Sequence, residues 1–97
     1  MPDMAGTRMA AEVGRRLAMA REAAGFSQSE LARRLTVSPA RLNNWETGDA
    51  MLPPSFIPTL FLLTRIDSNY LYQGDLSRLP SELAAKLTFK DNPRRKV

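Results

Sequence analysis

The chain has 97 residues, 43% of them apolar, a net charge of +4, and neither cysteine nor histidine. That is one domain's worth of sequence, with enough apolar content for a core but little room for a large ligand cavity. Disulfides, thiolate or imidazole metal sites and a histidine general base are excluded, which removes most hydrolase and metalloenzyme classes.

Met9, Val13, Leu17, Ala20 and Ala24 recur at helical spacing, so a first helix is predicted over about Thr7 to Ala24, with Gly25 ending it. Ser27 and Glu30 form a capping box that opens a short second helix, about Gln28 to Leu35, with Leu31, Ala32 and Leu35 on its buried face. After Thr36-Val37, Ser38 and Pro39 restart a helix at once, as N-cap and first-turn proline; Gly48 stops it just past Glu46 or Thr47. A loop runs from Asp49 to Pro54. Ser55 is expected to cap a fourth helix, Phe56 to Thr64, with Pro58 in its first turn. Asp67 caps a fifth, near Ser68 to Gln73, stopped by Gly74. Pro80 to Phe89 reads as a weaker sixth helix with Leu83 and Leu87 on one side, and Asn92 to Val97 as a frayed basic tail. No strand signal or repeat is present, so the expected class is all-α.

Charge is uneven along this string. Seven Arg stand against four Glu from Arg8 to Glu46, three basic residues against four acidic from Thr47 to Phe89, and four basic against one acidic from Lys90 to Val97. That pattern suits a polyanionic partner and solvated helix faces equally. Leu52 to Ile66 is too short to span a bilayer and holds Pro53, Pro54 and Pro58; Met1 to Thr7 lacks the apolar run of a signal peptide. A cytoplasmic protein with no membrane element is expected.

Two short helices joined by a tight turn make a helix-turn-helix, whose second helix enters the DNA major groove. Ala32 is small where the two helices must cross, and Leu31, Leu35, Val37, Leu42 and Trp45 are apolar where the corner must be sealed. On these residues the chain resembles the Cro and phage-repressor type of helix-turn-helix family, with Ser27-Gln28-Ser29-Glu30-Leu31-Ala32 opening the motif. Thr47-Gly48, Ile66-Asp67 and Tyr70-Leu71 also fit, and the likeness covers about Val13 to Gly74. Three positions depart from the pattern. Thr36 and Arg65 stand where the family often has glycine, and the loop after Gly48, often basic, holds Asp49 and apolar residues.

The resemblance implies a compact five-helix repressor-like DNA-binding domain over residues 1–75, with the motif at 28–45. Residues 76–97 would be a C-terminal extension carrying the short additional helix. It implies a sequence-specific regulator of transcription, a repressor occupying its operator on double-stranded DNA, with no enzymatic activity, cofactor or metal. Ser38, Pro39, Ala40, Arg41, Asn43 and Asn44 would face base edges. Asn suits adenine and Arg suits guanine, whereas Pro39 and Ala40 offer only apolar contact, so reading falls on Asn44 and Arg41; a plain exposed face is as good an account of Asn43. Gln28, at a helix N-terminus, would meet a phosphate, with Arg33 and Arg8 as weaker phosphate candidates and Arg34 and Arg16 as solvated surface. Arg21 and Glu46 would form a structural ion pair, and Trp45 would be core. One such helix rarely suffices, so a homodimer is expected through residues 70–89, offering Tyr70, Leu71, Tyr72, Leu76, Leu79, Leu83 and Leu87; the alternative is that this segment simply caps the core. The rival readings are an antitoxin-type protein that binds DNA and a small protein partner, and a helix-turn-helix scaffold that contacts only proteins.

Overall fold

The structure, a computed structural model, describes residues 4–91. These form six α-helices and one 3-10 turn, with no strand among the described residues: α1 (Met4–Ala23), α2 (Gln28–Leu35), α3 (Pro39–Thr47), the 3-10 turn Pro54–Phe56, α4 (Ile57–Thr64), α5 (Ser68–Gln73) and α6 (Ser81–Asp91). The basic tail expected at Asn92 to Val97 lies outside the described residues. No described helix is long and apolar enough to cross a membrane.

The central element is α1, which contacts α3, α4, α5 and α6. It starts three residues before the expected Thr7 and runs through Gly6 despite the poor helix propensity of glycine. Ala10, Val13, Leu17 and Ala20 are its buried face, whereas Met9 is 43% exposed and Ala24 lies past its end. Gly14 marks the closest approach of two helices. A Cβ built there would stand 2.1 Å from the carbonyl oxygen of Trp45 and 2.6 Å from that of Glu46, so α1 can lie this near α3 only without a side chain.

The turns differ in how readily their residues accept them. Ser27 caps α2 with its hydroxyl accepting from the Glu30 amide at 3.1 Å, and Glu30 accepts in return from the Ser27 amide at 3.1 Å. That reciprocal bonding holds the Glu30 carboxyl below its ordinary range. At the other end, the Val37 amide donates to Ala32 at 3.0 Å and Thr36 takes the left-handed conformation with φ 61°. This is a Schellman closure made with a β-branched residue, a strained choice. Arg65 closes α4 with φ 68°, and these two are the non-glycine residues of positive φ among the described residues.

Helix four departs from expectation at its start. Pro53 and Pro54 begin the 3-10 turn early, so Ser55 sits inside that turn and caps nothing; α4 follows from Phe56, at φ −87° and ψ −9°, with no side-chain cap.

The C-terminal segment is not a loose addition. α6 lies against α1, and Leu79 and Leu87 belong to the same buried cluster as Leu17, Leu42 and Trp45. This changes what residues 70–89 can offer a partner. Tyr70, Leu71, Leu79 and Leu87 are buried in this chain's own core, and Tyr72, Leu76 and Leu83 pack against it. Folding α6 back onto α1 has consumed that apolar face, leaving Phe89 as the large apolar residue of the segment that stays exposed. Arg16, expected on the solvated surface, is also drawn in: its guanidinium donates to the Leu71 carbonyl at 3.0 Å and meets Glu12 at 3.4 Å, tying α1 to α5.

Candidate nucleic-acid interface

Helix α3 begins where Ser38 turns its hydroxyl to accept from the Arg41 amide at 3.1 Å, with Pro39 following in the first turn. Leu42 and Trp45 face inward and are buried, so the other faces of a nine-residue helix are left to solvent. Ser38, Pro39, Ala40, Arg41, Asn43 and Asn44 are all exposed. At ~100° per residue, Pro39, Ala40, Asn43 and Asn44 share one outward face, while Arg41 and Glu46 fall on its two flanks.

The Glu46 flank is held by a polar chain. Arg21 meets Glu46 through two parallel bonds, Nε to Oε2 at 2.7 Å and Nη2 to Oε1 at 3.1 Å, with side chains 15% and 6% exposed. The third guanidinium nitrogen donates to the Phe26 carbonyl at 3.0 Å, and the carboxylate's hydrogen bonds raise the arginine's proton affinity further. Gln28 joins from α2: its Nε2 donates to Glu46 Oε1 at 3.0 Å and to Asn43 Oδ1 at 3.1 Å. The carboxylate accepts only, so Gln28 must present its nitrogen here, and Asn43 must then present its oxygen. α1, α2 and α3 are thereby locked together behind the exposed face.

This chain separates the two asparagines. Asn43 has its oxygen engaged by Gln28 and turns only N–H donors outward, so it cannot pair bidentately with adenine while that bond lasts. Asn44 has no side-chain hydrogen-bond partner among the described residues, and both halves of its amide remain available. Gln28 differs from a simple surface residue in the same way, because its side chain is turned to α3; what α2 presents outward at its start is backbone N–H. Arg33 and Arg8 are exposed, while Arg34 lies 5.8 Å from the Phe26 ring.

On the other flank Arg41 is held by aromatic rings. Its guanidinium carbon lies 5.1 Å from the Trp45 ring centre and 5.6 Å from that of Phe56, and the two rings are 4.9 Å apart, tilted by 54°. Phe56 was not legible as part of this face, since it lies beyond a loop and its only local signal is an aromatic after two prolines. Gly14 carried a signal that could have been used: a glycine inside a helical pattern marks a close backbone approach.

Residues 12–64, more than half of the chain, match the family model of the helix-turn-helix domain. The protein belongs to this family of DNA-binding domains. No curated protein and no solved structure matches it.

Proposed function

We propose that this protein is a sequence-specific regulator of transcription, a cytoplasmic repressor that occupies its operator as a two-fold dimer with α3 in the major groove. The observation that carries the reading is the exposed face of α3, which presents Asn43 and Asn44 beside Pro39 and Ala40 and holds no negative charge, backed by the Arg21–Glu46–Gln28–Asn43 chain and the buried Leu42 and Trp45. A helix fixed this firmly arrives at a groove with its side chains already oriented. The likeness of the motif to the Cro and phage-repressor type supports the same assignment.

In this reading Asn44 reads adenine through its free amide, and Pro39 and Ala40 supply apolar contact, for example to a thymine methyl. Ser38 adds a hydroxyl and Asn43 its outward N–H donors. The first amides of α2, at Gln28 and Ser29, receive a phosphate at the positive end of the helix dipole, with Arg33 beside them. Helix-turn-helix domains are typically non-enzymatic, and no catalytic role is assigned. Of the segment expected to pair two copies, exposed Phe89 is the apolar group that remains for it.

Selection of bound duplexes from a random library tests this. A palindromic site with half-sites about 34 Å apart is expected, together with an affinity whose logarithm falls linearly with log salt at roughly −0.9 per phosphate contacted. No enriched sequence, or an affinity indifferent to salt, would remove the proposal.

A further inference from the structure

The basic side chains leave one edge of the recognition helix bare. Between Arg41 and Arg65 the sequence contains no Lys or Arg, and the loop that borders α3 on that side contributes Asp49, an exposed carboxylate. A duplex lying along α3 would place a phosphate strand against each flank. On the α2 side stand the exposed Arg33 and the first amides of α2; residues 42–64, which form the other border, supply no basic side chain, and Arg41 lies at that flank. Arg41 is not directed outward beside Asn44. It is three residues earlier, about 60° around the helix, and its guanidinium is drawn toward Trp45 and Phe56 at 5.1 and 5.6 Å. It makes no ion pair among the described residues.

We infer that Arg41 is a phosphate clamp on the loop side of α3 and not a guanine reader, and that Phe56, together with the buried Trp45 ring, positions it. The inference rests on the reading of α3 as the groove-entering helix. Stacking leaves the guanidinium's edge N–H groups free while its face is occupied, which suits a phosphate oxygen approaching from the side. It also restricts a long, flexible side chain to the flank, away from the base edges in front of the outward face.

The test uses the full chain, the selected duplex and a scrambled duplex of equal length, over a series of salt concentrations. Arg41→Ala is expected to weaken both duplexes equally, by about tenfold at low salt, and to make the salt slope shallower by about 0.9. Phe56→Leu is expected to cost both duplexes about 2–5-fold, and Phe56→Tyr to restore binding. The decisive comparison is Phe56→Leu made on top of Arg41→Ala, which should add nothing further if Phe56 acts through the arginine; melting curves establish that each variant is folded. Loss confined to the selected duplex, with the salt slope unchanged, would make Arg41 a base reader and overturn the inference while leaving the proposed function standing. A Phe56→Leu effect that persists without Arg41 would overturn the positioning role. A wild-type chain with no salt-dependent binding to either duplex would remove the proposed function and this inference together.

Discussion

Replacing Glu46 with glutamine keeps the side chain's shape and removes its charge, so it isolates what the carboxylate does for α1, α2 and α3. The carboxylate accepts three bonds, at 2.7 and 3.1 Å from Arg21 and at 3.0 Å from Gln28, from a position only 6% exposed. A glutamine can accept at one oxygen, but its NH2 must then face either an arginine N–H or the Gln28 NH2, donor against donor. Breaking a buried pair from one side costs about 3–5 kcal/mol. Arg21 keeps its bond to Phe26 and is 15% exposed, so some water reaches the stranded charge and about 2–3 kcal/mol is the better expectation. For a domain of this size that is a fall in Tm of roughly 10–20 °C. Thermal and urea unfolding of the DNA-free protein measure it. Replacing both partners with apolar residues, Arg21→Met and Glu46→Leu together, should recover much of the loss, because no charge is then left alone. A single Glu46→Gln variant melting within about 2 °C of wild type would refute the argument that the pair is buried and coupled.

Gly14→Ala adds a methyl 2.1 Å from the Trp45 carbonyl oxygen, a clash with backbone that no side-chain rotation relieves. A loss of at least about 1–3 kcal/mol is expected, read from the same unfolding curves, and an unchanged Tm would mean that α1 and α3 do not approach this closely. Thr36→Gly removes the left-handed strain, about 1–2 kcal/mol, against a backbone-entropy cost of about 0.5–1 kcal/mol, so Tm should rise by a few degrees; a fall would show that Thr36 is not held at positive φ. Tyr70 is buried with its hydroxyl donating to the Arg16 carbonyl at 3.4 Å, and burial pushes its pKa from 10.0 up to about 12. Its neutral form is favoured in the folded state, so the contribution is complete below pH 10 and is lost as the unfolded chain ionises, at about 1.4 kcal/mol per pH unit between pH 10 and 12. Urea midpoints measured across that window should fall more steeply in wild type than in Tyr70→Phe, where Tyr72, also raised by burial, still titrates; equal slopes in the two would contradict the assignment.

The parts of this fold written in short-range chemistry could be read directly. Ser27 with Glu30, Ser38 with Pro39, Asp67 three residues before the Tyr70 amide, and glycines at 25, 48 and 74 each mark a helix end within a few positions of the chain. Ser55 shows the limit of that approach, since a capping residue loses its role when two preceding prolines start the turn early. The fate of residues 70–89 was ambiguous for a different reason. An apolar helix face looks the same whether it buries itself on its own chain or on a second copy, and only the docking of α6 on α1 distinguishes them. Within the candidate interface, exposure of α3 followed from the inward Leu42 and Trp45. The division of labour along it did not: Gln28 reaches Asn43 and Glu46 across 15 and 18 positions, and Phe56 reaches Arg41 from beyond a loop. No local pattern records such contacts.

The central claim is that α3 reads DNA and that Asn44, the residue with its whole amide free, carries an unusual share of the discrimination. Asn44→Ala removes that amide without touching the core, the Arg21–Glu46 pair or any arginine, so stability and the salt slope should be nearly unchanged. Competition binding with the selected site and a scrambled duplex measures the effect. The ratio of the two affinities should shrink by about 5–150-fold, corresponding to one lost bidentate contact of about 1–3 kcal/mol, with the scrambled duplex bound much as before. A variant that keeps the full ratio would show that this face of α3 does not read bases through Asn44.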